Sequence, residues 1–325
     1  MLISRSEVKK LLSMEECMAA VEMAFKLHAQ GKVQPPKIIG LHTDDGGFHI
    51  KAGQMNLGRN YFVAKVNANF PDNRKMHNLP TIQGVIVVSD ASNGRLLALL
   101  DSIEITIVRT GAATGVAAKY LSRHDAKLAT VVGCGNQGRI SLRAILTVRK
   151  LEKVFAYDID ESQKQSFVRE VAQEFGINVV PTDDLETAVQ QSDICITCTP
   201  SKTFFLKKEF VKPGTFIAAV GADSEDKQEL EPSLLRSANL VVDLLDQSAT
   251  IGELHHALES GTMKRTDVHA ELGEIIAGLK PGRVSNDEIF VFDSTGMALQ
   301  DVAASSIVYE RAIASRAGRT INLAE

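Results

Sequence analysis

One hexapeptide constrains the fold of this chain more than any other feature. Gly133-Cys-Gly-Asn-Gln-Gly138 closes an apolar run, Leu128–Val132, and opens an amphipathic segment at residue 136. Glycines at this spacing let a backbone approach a pyrophosphate, and a helix starting there offers it N–H groups and positive potential. A second apolar run, Val154–Tyr157, leads directly into Asp158, twenty residues past Gly138. Strand, glycine turn, helix, strand and acid in this order predict a dinucleotide-binding βαβ unit. The cofactor-binding residues this motif predicts are Gly133, Gly135, Gly138 and Asp158. A carboxylate at Asp158 accepts from ribose hydroxyls and repels a 2′-phosphate, so NAD(H) is favoured, with NADP(H) as the alternative. No arginine stands between Tyr157 and Ser162 to receive that phosphate.

The same rhythm runs on to Ser294. Apolar strand candidates Ile194–Cys198, Phe216–Val220, Leu240–Val242 and Ile289–Phe292 follow the first two, and amphipathic segments at 136–149, 162–175, 184–191, 229–237 and 251–260 lie between the six. Continuous apolar strands alternating with helices predict an α/β domain, a doubly wound parallel sheet of Rossmann type. The first hundred residues read differently. Ser13-Met-Glu-Glu16 caps one helix, short strands follow, and Asn93-Gly94 marks a tight hairpin turn. This is an α+β pattern with an antiparallel sheet. A helix rich in small residues follows to Leu121, opened by Asp101-x-x-Glu104, and its interior Gly111 and Gly115 imply a closely passing backbone or ligand. The expected layout is therefore discontinuous. Residues 1–121 form one domain completed by a C-terminal helix in 297–325, and 122–296 form the dinucleotide-binding domain.

Composition excludes other classes. At 325 residues, 44% apolar and 23% charged, the chain has the makeup of a globular protein of about two domains. No run is long and apolar enough for a membrane span, and Arg5, Glu7, Lys9 and Lys10 interrupt any leader, so a cytoplasmic location is expected. Net charge is −4 and the basic residues are scattered, which gives nucleic-acid binding no support. Cys17, Cys134, Cys195 and Cys198 make no disulfide framework.

Several residues stand out chemically. Arg109, in the small-residue helix, could grip a substrate carboxylate with two N–H groups or form a structural ion pair. Lys65 lies in an apolar strand pattern, where its ammonium needs a partner. His49 and Lys51 share a strand face at i, i+2 and either line a site or are simply exposed. Asp223, with Lys227 four residues on, and Ser294-Thr295 follow strand ends that line the ligand crevice of an open parallel sheet; capping is the alternative role. Cys195-x-x-Cys198 lies within a strand, its ends on opposite faces, and reads as structural. Glu253-Leu-His255-His256 lacks the i, i+4 histidine pair, so a solvated helix and no metal are expected.

The segments Lys65-Val-Asn-Ala-Asn-Phe-Pro71, Leu79-Pro-Thr81, Arg109-Thr-Gly-Ala-Ala, the glycine turn, Gly221-Ala-Asp223 with Lys227-Gln-Glu-Leu230, and Asp293-Ser-Thr-Gly296 occur in one order. In that set the chain resembles the ornithine cyclodeaminase/μ-crystallin family over nearly its whole length. It is most similar to the ketimine (Δ1-pyrroline-2-carboxylate) reductase members. The resemblance implies that Arg109 and Lys65 bind a substrate carboxylate, with His49, Lys51 and Thr295 near it. It implies that Asp223 faces the reacting nitrogen, and that Lys65 and Asp223 are catalytic. It adds Thr81, Asn136, Gln137, Thr199, Pro200, Val220, Lys227 and Ser294 to the cofactor set, and implies that the 1–121 domain binds substrate and builds a homodimer. Cyclodeaminases carry a glutamate before a Met-Pro pair, whereas this chain reads Phe48-His-Ile-Lys-Ala-Gly53. The expected activity is thus NAD(P)H-dependent reduction of a small cyclic imino acid. Ornithine cyclodeaminase, an alanine-type dehydrogenase and a non-catalytic nucleotide-dependent binding protein are the rivals.

Overall fold

Alternating buried and exposed side chains build the first part of the computed structural model, which describes residues 1–322. β1 (Leu2–Ile3), α1 (Arg5–Leu11) and α2 (Met14–Ala29) precede β2 (Lys37–Thr43), β3 (Gly46–Asn56) and β4 (Asn60–Asn69). After α3 (Asn73–His77) come β5 (Ile82–Asp90) and β6 (Leu96–Asp101). The sheet order is β1-β6-β5-β4-β3-β2, antiparallel except that β1 runs parallel to β6. The β5–β6 hairpin is looser than the tight turn expected at Asn93-Gly94. Of these two residues only Gly94 takes a positive φ, at +76°. The Asp90 carboxylate accepts from Ser92 N and the Asn93 amide oxygen from Arg95 N, so two side-chain turns replace a two-residue turn.

α4 (Ser102–Leu121) starts where expected, with Asp101 Oδ1 accepting from the N–H groups of Ile103 and Glu104. The chain divides into two compact units, Met1–Arg109 with the segment from Met297, and Thr110–Gly296, so the break falls inside α4. In the second unit a Cβ on Gly111 would lie 2.8 Å from the carbonyl oxygen of Ile140, which explains that glycine by close backbone approach.

The second unit alternates as the sequence implied. β7 (Leu128–Val132), α5 (Asn136–Leu146), β8 (Lys153–Tyr157), α6 (Glu161–Phe175), β9 (Asn178–Pro181) and α7 (Leu185–Gln191) lead to β10 (Ile194–Thr197) and β11 (Phe216–Ala219). Then come α8 (Pro232–Ser237), β12 (Asn239–Val242), α9 (Leu245–Ile251), α10 (Glu253–Glu259), β13 (Ala270–Glu271), α11 (Leu272–Ile276) and β14 (Phe290–Asp293). Every pairing is parallel, in the order β9-β8-β7-β10-β11-β14-β12-β13. Strand order reverses between β7 and β10, the switch point where open α/β sheets hold ligands. β10, β11 and β14 are buried at every residue, as strands covered on both faces must be.

Local chemistry accounts for the differences from expectation. The amphipathic segment expected at 251–260 is α10, and Gly252, extended with φ −97° and ψ −176°, separates it from α9, which was not expected. The helix expected from 229 starts at Pro232, a residue suited to a first helical position. β9 and β13 went unread because they are short and carry polar residues.

The last helix, α12 (Ala298–Ser315), belongs to the first unit and packs on α2, β3 and β4. The fold is α/β, a Rossmann-type doubly wound sheet with a discontinuous α+β unit.

Candidate functional site

In the first unit β4 buries Tyr61, Val63 and Lys65 on one face. Lys65 therefore takes a core position, and its ammonium must be met there. Its Nζ donates to Asp301 Oδ1 at 2.9 Å and to Thr106 Oγ1 at 3.3 Å. Arg109, one turn of α4 beyond Ile105, brings Nε to 3.2 Å from the same carboxylate and donates from Nη1 to Gln300 Oε1 at 3.0 Å. Lys65, Arg109 and Asp301 are all buried. Burial lowers the Lys65 pKa to about 7, Asp301 opposing the change and Arg109 and Lys51 adding to it. Burial works to raise the Asp301 pKa, but the charges of Lys65 and Arg109 outweigh it and hold the carboxyl below its ordinary value. In the same unit the Cys17 thiol is pushed up to about 12 by burial.

Lys51 stands directly across from Lys65 in the β3–β4 register, and His49 opposite Asn67. Like charges placed so repel one another, which adds to the positive potential around Asp301. The His49 ring meets His42 edge-on, centroids 6.5 Å apart. Thr81 accepts from Phe70 N through its carbonyl at 2.9 Å, in the segment entering β5.

The second unit contains the glycine turn expected to receive a dinucleotide. Gly133 has φ +96°, and a Cβ on Gly138 would lie 2.2 Å from the Gly133 carbonyl, so both positions demand glycine. Gly135 faces open space and caps α5 with no side-chain bond to its first turn. An uncapped helix start behind an open glycine fits a pyrophosphate. Asp158, just past β8, accepts from Cys134 N at 2.7 Å and from Asp160 N at 2.9 Å, which fixes the carboxylate against the glycine turn. Asn136 begins α5, and the buried Oε1 of Gln137 has no partner among the described residues.

A chain of buried carboxylates underlies the neighbouring strand ends. Glu229 accepts from Thr197 Oγ1 at 2.7 Å, Thr199 N at 2.5 Å and Gly221 N at 3.0 Å, tying the loops after β10 and β11 together. Glu253 accepts from the N–H groups of Glu229 and Leu230, and Asp293 from Leu254 N. Burial raises the pKa of Glu229, lifts Glu253 well above the carboxylate range and carries Asp293 to about 7. This knot anchors the segment bearing Asp223, whose carboxylate takes a hydrogen bond from Lys227 Nζ at 2.6 Å. Val220 donates to the Thr197 carbonyl at 2.8 Å, Thr199 and Pro200 follow β10, and Ser294 N donates to Ala219 O at 2.9 Å.

The Thr295 hydroxyl, a substrate-binding candidate, donates to Asp243 at 2.7 Å and accepts from Gln247 Nε2 at 2.7 Å. Glu253 is fully buried rather than on a solvated helix, because two backbone N–H groups hold it. His255, His256 and Glu259 gather ligand atoms within 4.8 Å of one another, one His256 nitrogen lying 2.8 Å from the Lys227 carbonyl. Burial raises the Cys195 and Cys198 thiols, as suits structural residues, and Cys198 Sγ lies 3.2 Å from the Gly133 carbonyl. Gln300, Asp301, Glu229 and Asp243 were not read from the sequence. The one available signal was Gln300-Asp301 interrupting an otherwise apolar, alanine-rich helix.

The chain matches the model of the ornithine cyclodeaminase/mu-crystallin family over residues 1–316. It is 39% identical over 323 residues to an alanine dehydrogenase of Archaeoglobus fulgidus, covering 99% of this chain and 98% of that one. Among solved structures it superimposes on an archaeal alanine dehydrogenase dimer with bound NAD with a TM-score of 0.95, at 39% identity, over 99% of this chain and 98% of that chain. A Thermococcus litoralis Δ1-pyrroline-2-carboxylate reductase in complex with NADH and L-proline gives a TM-score of 0.93 at 34% identity, over 98% of this chain and 99% of that chain. No helix among the described residues is long and apolar enough to cross a membrane.

Proposed function

The chain belongs to the ornithine cyclodeaminase/mu-crystallin family, and from that membership we propose that it is an NAD(H)-dependent oxidoreductase that reduces the C=N bond of a small cyclic imino acid, Δ1-pyrroline-2-carboxylate to L-proline. The observation that carries the reading is the buried group of Lys65 and Arg109 around the single carboxylate of Asp301. Two cations sharing one anion leave a positive charge away from water, a state suited to a ligand carboxylate.

Arg109 and Lys65 hold that carboxylate and so orient the C=N carbon. Gly133, Gly135, Asn136, Gln137 and Gly138 hold the dinucleotide phosphates, and Asp158 its ribose. Thr81, Thr199, Pro200, Val220, Lys227 and Ser294 complete the cofactor set. When bound, the dinucleotide would supply hydride chemistry at the imine carbon. Lys65, with a pKa of about 7, gives the imine nitrogen its proton, and the Asp223 carboxylate stabilises the resulting iminium cation. Hydride on carbon and proton on nitrogen together make the amine. His49 and Lys51 flank the substrate ring.

The 39% identity to an alanine dehydrogenase favours a second reading, in which the imine forms from pyruvate and ammonia. Purified protein with NADH is expected to consume pyrroline-2-carboxylate faster than pyruvate plus ammonia. Ammonia release from ornithine with NAD, without net NADH formation, would overturn the reductase reading in favour of a cyclodeaminase. Replacing Asp158 by serine removes hydrogen bonds of about 1.5–3 kcal/mol to the ribose, so NADH affinity is expected to fall roughly 10- to 100-fold while NADPH turnover rises. Steady-state kinetics with both cofactors checks this.

A homodimer through the first unit is part of the proposal. All of edge strand β2 is exposed, including Ile38, Ile39 and Leu41. Such an edge is ordinarily covered or charged. The double substitution Ile39→Lys and Leu41→Lys is expected to convert the dimer to monomer in sedimentation analysis.

A further inference from the structure

α12 opens with Ala298-Leu-Gln-Asp301, and Gln300 is 0% exposed. Its Oε1 accepts from Arg109 Nη1 at 3.0 Å. That bond decides which end of the amide is which, since the reverse orientation would set an NH2 group against a guanidinium, donor against donor. Nε2 is then a buried donor, and it has no hydrogen-bond partner among the described residues. Buried polar groups in native proteins are nearly always met, so an orphan in a functional cluster marks the place of a ligand or an ordered water.

The neighbourhood says what kind of ligand. Arg109 directs Nε toward Asp301 and Nη1 to Gln300, and Nη2 has no partner among the described residues. Lys65 is held by Asp301 and Thr106. Among the groups with hydrogen left to give, Arg109 Nη2 and Gln300 Nε2 are neighbours joined through the Nη1–Oε1 bond, while Arg109 Nε faces the Asp301 carboxylate and Lys65 keeps one of its three hydrogens. The two neighbours are donors, one is cationic, and the partner that satisfies two adjacent donors beside surplus positive charge is a carboxylate.

We propose that Gln300 is a substrate-binding, specificity-determining residue: its Nε2 donates to the carboxylate gripped by Arg109, which rests on the imino-acid reading above. Oε1 holds the guanidinium at a fixed angle while Nε2 meets the ligand, so one side chain both sets and extends the anion site. The donor also discriminates. A carboxamide in place of the carboxylate would lose charge pairing with Arg109 and could present N–H groups to N–H groups.

The test is calorimetric binding of pyrrole-2-carboxylate, a planar relative of the imino acid, and of pyrrole-2-carboxamide to the NADH complex. Gln300→Met keeps the length and volume of the side chain and removes both amide ends. The wild-type protein is expected to bind the carboxylate, and the variant to bind it roughly 10- to 100-fold more weakly, with the weak carboxamide affinity unchanged. In turnover KM should rise while kcat stays within about threefold, the mark of lost uniform binding. A crystal structure of the wild-type NADH complex with pyrrole-2-carboxylate provides a readout that does not depend on the variant folding. Nε2 should lie about 3 Å from a carboxylate oxygen. Equal carboxylate affinity in the variant, or an Nε2 bonded only to water or protein in the complex, overturns the assignment to Gln300 and leaves the reductase reading standing. If the wild-type complex binds neither pyrrole-2-carboxylate nor pyruvate, the carboxylate site itself is wrong, and both readings fall.

Discussion

Asp301→Ala is expected to destabilise the protein by about 3–5 kcal/mol at neutral pH, the usual cost of removing one partner from a buried ion group. The carboxylate is the shared counterion of Lys65 and Arg109, and without it two cations remain in a water-excluded place. Asp301→Asn keeps the shape and one acceptor, so it should lose less than alanine but remain clearly weaker than wild type. The pH dependence has a definite sign. The pKa of Asp301 is held below its ordinary value in the folded chain. Its stabilising contribution is thus present above the unfolded value, about 3.9, and is lost as pH falls through the folded one. Wild type and variant should therefore converge in acid. Urea unfolding followed by circular dichroism across that range measures both effects, and equal stability at neutral pH would remove Asp301 from this role.

Lys65→Met should act in the opposite direction on stability and far more strongly on turnover. Burial takes the ammonium from its ordinary 10.5 to about 7, so the folded chain binds fewer protons than the unfolded chain between those values. Wild-type stability accordingly rises with pH across that window, and the penalty of the buried charge is fully present below it. Methionine fills the space without a charge and leaves Asp301 paired with Arg109. The variant should be at least as stable as wild type at neutral pH, and its stability should lack that slope. Its kcat/KM should fall by about 10²–10⁴, the usual size of a proton-transfer contribution. In the wild type, a proton donor at Lys65 makes activity decline as pH rises through the Lys65 value, while stability climbs. Opposite trends of rate and stability over one pH interval are the measurable signature. A variant that keeps its rate would leave Lys65 no catalytic part.

The glycine turn and the strands around it were legible because each signal is local. Leu128–Val132 is apolar at all positions but Thr130, and β7 spans those same residues. Asp158 lies close enough in sequence to be read by counting. The carboxylates were not legible, since nothing near Asp301 states that its partner is Lys65, 236 positions away. Glu229 and Glu253 look like ordinary surface acids in sequence. Their burial follows from β10, β11 and α10 converging on backbone N–H groups, a property of topology rather than of residue type. Lys65 was found because a lysine in an apolar strand contradicts its surroundings, and such contradictions are where sequence most often betrays a site. The Gln300-Asp301 pair carries the same kind of contradiction on a helix.

The return of the last helix to the first unit has a consequence for the order of events during synthesis. Residues 1–109 leave the ribosome early, yet Lys65 and Arg109 have no counterion until α12 has been translated. The second unit, complete at Gly296, can settle while the earlier segment is still waiting. A nascent chain stalled just short of Met297 should show protease-resistant sheet from the middle of the protein and a digestible beginning. The unit that holds Lys65 and Arg109 thus becomes native after the unit encoded between its two parts, once α12 has been made.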